Sequence, residues 1–340
     1  MNNIKLHSIS RVKVNLYLHV IGKRKDGYHN LDSLVAFPNI GDKIEIYPSK
    51  NINLTITGRL KKELPTKENL ILKASKLFKN NKNGADIHLN KNIPISAGLG
   101  GGSSNAAVVL KLLSKLWNVP LPSIQDIVLL GADIPVCMDW RLQRMQGIGD
   151  NTSFISSQGH LWILLLNNGD KTPTNLIFKE LSPNNFSDVI TIPKFNDTRS
   201  LIKFLKSTRN DLEKVTIKKF PSIKILLDHF EMTSGCLISR MSGSGSTCFG
   251  LYEKKSEAVK AKNFLLQNIE KPDDELIYAL ILKNLSDRQI SLDKKLINYI
   301  INRIDRSYGK IFDFIYKIDQ MSLKKRKSID LKIIKEVLGE

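Results

Sequence analysis

Cysteine is scarce in this chain. Cys137, Cys236 and Cys248 are the only three in 340 residues. Their spacing gives neither a disulfide framework nor a zinc-ligand pair, so a reducing cytoplasm is the expected compartment. Long apolar runs are also missing. The longest, Leu161–Leu166, is far too short to cross a bilayer and reads as a buried strand. Met1–Ser10 is short and polar, unlike a signal peptide, and no membrane association is expected. There is no Walker A or B motif, no spaced-glycine dinucleotide fingerprint and no internal repeat. Acidic residues are outnumbered, 33 against 52 Lys and Arg, giving a formal charge of +19. The lysines are scattered among Asn and Ile, as codon bias would scatter them. They form no stripe, and nucleic acid is not the expected partner. What remains is globular composition, 41% hydrophobic and 25% charged, long enough for two or three domains.

The most informative stretch is 94–106, Pro-Ile-Ser-Ala-Gly-Leu-Gly-Gly-Gly-Ser-Ser-Asn-Ala. The glycine run bends the chain and bares backbone N–H groups. Ser103, Ser104 and Asn105 then open a helical segment running through Leu113. Free amides and a helix dipole suit an anion such as a nucleotide phosphate. Any Cβ there would hold the phosphate off the backbone. No Lys follows the last glycine, so this is not a Walker loop.

Elsewhere, residues 13–20 alternate with period two, putting Lys13, Asn15, Tyr17 and His19 on one face of a strand. That face is either solvated or turned into a cleft. Residues 22–30 read as a loop, 35–47 as strands broken by a turn at 39–42, and 52–57 and 85–89 as strands. Residues 67–79, 124–130, 200–205, 221–229 and 255–266 read as helices. Gly147–Asp150 reads as a turn, Met241–Thr247 as a loop of small residues and Cys248–Tyr252 as a strand. A charged, Pro-bearing breaker at 270–274 follows, and beyond it four helical periodicities begin near Leu276, Leu296, Ile311 and Ile329. The expected division is 1–155, 156–268 and 271–340, with the last boundary at about 267–271.

Seven motifs in order carry a resemblance: Lys13-Val14-Asn15-Leu16, Gly22–His29, Gly98–Ala106, Gly131–Val136, Thr174–Phe178, Asn210-Asp211-Leu212-Glu213 and Ser242–Thr247. They resemble the small-molecule kinase superfamily that includes galactokinase, homoserine kinase and mevalonate kinase. Within it they resemble the branch that phosphorylates 4-diphosphocytidyl-2-C-methyl-D-erythritol in non-mevalonate isoprenoid synthesis. The resemblance covers roughly residues 8–266. It implies an α+β, two-subdomain small-molecule kinase fold with an all-helical C-terminal extension. It also implies ATP as phosphoryl donor, Mg²⁺ without a readable ligand motif, and a cytidyl substrate.

Residue roles follow from the same resemblance. Asp133 would take the proton of the substrate hydroxyl. Lys13 would favour the ionised carboxylate and stabilise the γ-phosphate, and Asn15 would hydrogen-bond the same region. ATP would be held by Pro94, Ala97, Gly98, Leu99, Gly100, Gly101, Gly102, Ser103, Ser104 and Asn105, with Asn69 near the adenine. Tyr28, His29 and Phe178 would stack on and hydrogen-bond the cytosine. Thr174, Gly243 and Gly245 complete the substrate side.

The sequence departs from that branch in three ways. The stretch from Trp117 to Gly131 is about one helical turn short. Asp150 stands where Glu is usual. The kinase's own ending is replaced. Residues 272–276, 287–289, 303–307 and 322–326 resemble the helical lid of the bacterial replication-initiator ATPase family, nearest its regulatory-inactivator branch. The segment lacks that family's nucleotide-binding core. It implies either a natural fusion that packs on the kinase or recruits a protein partner, or a mis-joined reading of two genes. Two alternatives to the kinase reading stand: a non-catalytic regulatory protein acting through this tail, and a sibling kinase of another alcohol.

Overall fold

The computed structural model describes residues 5–61, 64, 69–79, 83–268, 274–286, 288, 290–304, 308–325 and 327–340. Glu68, the breaker at 270–273, Asp287, Gln289, Asp305–Ser307 and Arg326 lie outside the described residues. The chain divides into two compact units: residues 1–167 with 171–258, and residues 168–170 with 259–340.

The first unit begins with β1 (Leu6–Arg11), β2 (Val14–Lys23), β3 (His29–Ala36), β4 (Gly41–Ser49) and β5 (Ile52–Thr57). Next come α1 (Leu70–Ser75), β6 (Gly84–Asn90), α2 (Gly101–Trp117), α3 (Ile124–Leu130), α4 (Ile134–Cys137), β7 (Gln143–Gly147) and β8 (Asn151–Phe154). After these come β9 (Trp162–Leu166), α5 (Thr174–Glu180), a 3₁₀ turn (Pro183–Asn185), α6 (Thr198–Lys206), α7 (Glu213–Lys219), α8 (Ser222–Glu231), β10 (Ile238–Met241) and β11 (Cys248–Tyr252), and then α9 (Lys255–Asn268), which belongs to the second unit from Val259 onward.

Three sheets form, ordered β1-β4-β6-β5, β2-β3-β7-β8 and β10-β11-β9. All pairs are antiparallel except β5 with β6. The chain leaves the first sheet at Arg11 and enters the second at Val14. At this crossing the Lys13 N–H donates to the Leu99 carbonyl at 2.9 Å. The sheet change therefore delivers Lys13 to the glycine loop.

Helix α2 is apolar through residues 106–110 and buries this run completely. Val108, Val109 and Leu113 pack with Ile44, Ile46, Ile87 and Leu89 of the first sheet. A second core joins Val14, Leu16 and Tyr17 of β2 to Phe195, Leu201, Leu205, Phe249 and Leu251.

Several expectations are corrected. Lys13, Asn15, Tyr17 and His19 are all buried, so β2 has no solvated face. Leu161–Leu166 is not a fully buried strand: β9 is the edge of its sheet, Trp162 is 44% exposed and the rest is half-buried. Helix α2 starts at Gly101, not Ser103, so two of the glycines lie in its first turn. Helix α1 is shorter than its periodicity suggested because Asn69 caps it, its side chain accepting from the Ile71 N–H. The sequence pattern does not mark strands β1, β7, β8 and β10, most of β3, or helices α4, α5 and α7.

The second unit holds α10 (Asp274–Ser286), α11 (Lys294–Ile301), α12 (Tyr308–Lys325) and α13 (Leu331–Leu338) around its own core of Ile277, Ile281, Ile297, Ile300, Ile311, Ile315, Ile318 and Ile334. Asp293 and Asp330 cap α11 and α13, accepting from Lys295 and Ile333 N–H groups. Among the described residues no helix is long and apolar enough to cross a membrane.

Candidate active site

A cleft of about 1070 Å³ opens in the first unit. Lys13, Asn15, Asp133 and the glycine loop line one end, and Tyr28, His29 and Phe178 line the other. Of the residues singled out in the sequence, Pro94, Ala97, Gly98, Leu99, Gly100, Gly101, Gly102, Ser103, Asn105, Asn69, Thr174 and Gly243 also line it. Ser104 and Gly245 do not. The Ser104 hydroxyl donates to the Arg11 carbonyl and ties α2 to β1. Gly245 sits in the loop behind Gly243, where a Cβ would strike the Met241 sulfur at 2.7 Å.

The Lys13 Nζ donates to Asp133 Oδ2 at 2.9 Å. The lysine side chain is 6% exposed and the carboxylate 37%, so the acid faces the cleft while the cation backs it. The short Trp117–Gly131 stretch therefore leaves Asp133 beside Lys13. Cys137 lies close by, and burial pushes its thiol up to about 12, so it stays uncharged. Asn15 donates from Nδ2 to the Ser33 hydroxyl at 2.8 Å. Its Oδ1 is buried, close to Gly243, and unpartnered among the described residues.

Gly100 caps α2 at φ 59° with no side-chain cap, leaving the first-turn amides of Gly101, Gly102 and Ser103 open at the cleft. A Cβ on Gly98, itself at φ +71°, would meet the Ser242 carbonyl at 2.1 Å. That close approach locks the glycine loop to the 241–247 loop. The Ser242 hydroxyl donates to the Gly98 carbonyl and accepts from the Asn15 N–H. Asn210, Asp211 and Glu213 brace the same region. Asn210 Nδ2 donates to the Met241 and Gly243 carbonyls, Asp211 accepts from the Val20 N–H, and Glu213 accepts from the Met241 N–H.

One feature beside the glycine loop has no counterpart in the sequence motifs. Asp42, buried in β4, accepts from Lys91 Nζ at 2.6 Å, Asn92 N–H at 2.7 Å, Ile93 N–H at 2.9 Å and Asn105 Nδ2 at 2.9 Å. It pins the segment entering the glycine loop to the helix leaving it. It also holds the buried Lys91 ammonium within 3.6 Å of where a Gly101 Cβ would stand. Asn69 uses its oxygen as the α1 cap, and its buried Nδ2 is unpartnered among the described residues.

At the far end Tyr28 is 60% exposed and His29 is buried. The His29 ring lies 5.1 Å from Phe178, tilted 31°. Burial, reinforced by the Lys23 charge, holds the imidazole below its ordinary 6.5, so it is neutral at pH 7. A neutral ring offers one donor and one acceptor, the pair that reads a base edge. The Thr174 and Ser244 hydroxyls are 2.9 Å apart between the two ends.

Open amides at a helix start, a cation–carboxylate pair and the paired His29 and Phe178 rings thus share one cleft, an arrangement suited to phosphoryl transfer. The comparisons agree. Residues 69–158 match the GHMP kinases N-terminal domain, and residues 191–271 match the GHMP kinases C-terminal domain. Residues 273–338 match the family described as Hda, lid domain. The chain is 40% identical over 254 residues to the 4-diphosphocytidyl-2-C-methyl-D-erythritol kinase of Cereibacter sphaeroides, covering 74% of this chain and 91% of that one. It is 41% identical over 253 residues to the kinase of the same name from Paramagnetospirillum magneticum, covering 72% and 88%. A crystal structure of 4-(cytidine 5'-diphospho)-2C-methyl-D-erythritol kinase superposes with a TM-score of 0.65 at 29% identity, covering 77% of this chain and 96% of that one. Phosphomevalonate kinase of Streptococcus pneumoniae shares the fold, with a TM-score of 0.54 at 12% identity, covering 78% and 96%. The chain is thus a GHMP-type kinase, and it belongs to the 4-diphosphocytidyl-2-C-methyl-D-erythritol kinase family.

Proposed function

We propose that this kinase transfers the γ-phosphoryl group of ATP to the 2-hydroxyl of 4-diphosphocytidyl-2-C-methyl-D-erythritol. The observation that carries the reading is the Lys13–Asp133 pair at the mouth of the glycine loop, in one cleft with His29 and Phe178. The first-turn amides of α2 bind the phosphates of ATP, with Lys91 beneath them. Asp133 accepts the hydroxyl proton as the acceptor oxygen bonds to the γ-phosphorus and the bond to the β-phosphate oxygen breaks, releasing ADP. Lys13 neutralises charge that builds on the transferring group. Asn15, which lines the same cleft, hydrogen-bonds the same region of the substrate. Tyr28, His29 and Phe178 hold the cytosine. Gly243 and Thr174 flank the chain between the two ends.

No cluster of three or more metal-ligating side chains exists among the described residues. The oxygen donors at the cleft, the Ser103 hydroxyl and the Asp133 carboxylate, suit a Mg²⁺ carried in on ATP phosphates and keeping waters, not a resident ion. Bound there, Mg²⁺ would neutralise phosphate charge.

We take residues 1–155 and 156–268 as the two kinase subdomains, acting in the cytoplasm. Residues 271–340 are then an appended lid-like domain that contacts a protein partner and takes no part in transfer. The match to a lid domain supports that reading, as does a cleft lined wholly by the first unit.

The test is ADP release in a coupled assay. Turnover is expected with the cytidyl substrate and not with homoserine or mevalonate. ATP binding without turnover of the cytidyl substrate would defeat the assignment.

A further inference from the structure

Phe186 was not singled out in the sequence and does not line the cleft, yet it touches the residue assigned to the base. Its ring lies 5.9 Å from His29 at 88°, edge to face. Phe178 meets the same imidazole at 31°. Two ring neighbours set at such different angles block different rotations of the imidazole: Phe178 limits its tilt, and Phe186 its spin about the Cβ–Cγ bond. Among the described residues no protein group hydrogen-bonds the His29 ring, so packing alone sets where its nitrogens point.

The segment carrying Phe186 is itself pinned on both sides. The Ser187 N–H donates to the Val20 carbonyl at 2.9 Å, and its hydroxyl donates to Asp211 Oδ1 at 2.9 Å. Asp211 also accepts from the Val20 N–H at 2.8 Å and from Arg209 Nε at 2.6 Å. The Asn185 carbonyl accepts from Arg209 Nη2 at 3.3 Å. Phe186 is therefore anchored to β2, the strand that pairs with β3 through Lys23 and His29. The ring is braced against the same framework that carries its target.

We propose that Phe186 is a positioning residue for base recognition: it fixes the His29 imidazole so that its nitrogens meet the pyrimidine edge of the substrate. This rests on the reading of His29 as the cytosine contact. The residue acts through His29 and touches neither ATP nor the reacting alcohol.

The experiment compares wild type with Phe186→Ala, Phe186→Leu and Phe186→Tyr. In Phe186→Ala the KM for the cytidyl substrate rises about 3- to 10-fold, the range a lost aromatic pair gives, while kcat and the KM for ATP hold. Phe186→Tyr, which keeps the ring, restores the KM. Phe186→Leu, which keeps apolar bulk without a ring, does not. In parallel, NMR titration of the His29 Cε1–H, assigned by its loss in His29→Gln, shows a higher pKa in Phe186→Ala as water reaches the imidazole. An unchanged KM and titration in Phe186→Ala, with wild type active, overturn the proposal and leave the kinase assignment standing. Full rescue by Phe186→Leu overturns it too, since bulk alone would then suffice. Wild type that fails to phosphorylate the cytidyl substrate overturns the assignment of the site, and the proposal with it.

Discussion

Asp133→Asn is expected to lower kcat by about 10²- to 10⁴-fold while ATP still binds. The amide keeps the size of the carboxylate and can still accept from Lys13 Nζ, now 2.9 Å away. What it loses is the capacity to take a proton from the acceptor alcohol. The loop amides and Lys91, to which phosphate binding is assigned in the proposed function, are untouched. Steady-state kinetics with the cytidyl substrate, beside an ATP titration of the same variant, separate the two effects. A kcat near that of wild type would mean the alcohol proton leaves by another route. Loss of ATP binding would mean that Asp133 supports the loop instead.

The largest effect on stability is expected from Asp42→Ala. Its carboxylate accepts four hydrogen bonds, two of them from backbone N–H groups, and it pairs with a lysine 2% exposed. Removing it leaves a buried ammonium without its counter-charge, a change that costs about 3–5 kcal/mol. All three tryptophans, Trp117, Trp140 and Trp162, lie in the first unit, so fluorescence-detected denaturation follows that unit specifically. Adding Lys91→Met should restore part of the loss by removing the stranded charge. The share due to Asn92, Ile93 and Asn105 should remain. A loss under about 1 kcal/mol, the scale of an exposed pair, would show that water fills the site.

That the glycine loop, Lys13 with Asn15, and Tyr28 and His29 with Phe178 share one cleft was legible, because each set lies in short motifs whose chemistry depends on residue type. Asp42 was not, because its partners come from residues 91–93 and 105, joined only by folding. Strand β7 was hidden for a related reason. Its sequence, Gln-Arg-Met-Gln-Gly, reads as polar, but Arg144 is spent on fully buried Asp32 at 2.6 Å and Gln143 on the Val136 and Asp139 carbonyls. Polar residues that satisfy each other inside a sheet erase the alternation that marks a strand. Phe186 stands in irregular chain, where no periodicity marks a contact. The small-residue loop at 241–247 was visible, but its lock on Gly98 was not, since a backbone-to-backbone approach leaves no trace in side-chain pattern.

That lock bears on how the enzyme accommodates its ligands. Gly98, Leu99, Lys13, Asn15 and Ser242 are stitched together by the main-chain bond from Lys13 to Leu99, by two bonds of the Ser242 hydroxyl and by the close approach of Gly98 to the Ser242 carbonyl. The part of the cleft that holds Lys13 is thus cross-braced by three separate chain segments. Tyr28, by contrast, is 60% exposed and follows a short turn. If transfer takes place beside Lys13 as proposed, alignment rests on the braced segments, and adjustment to a ligand falls to the exposed one.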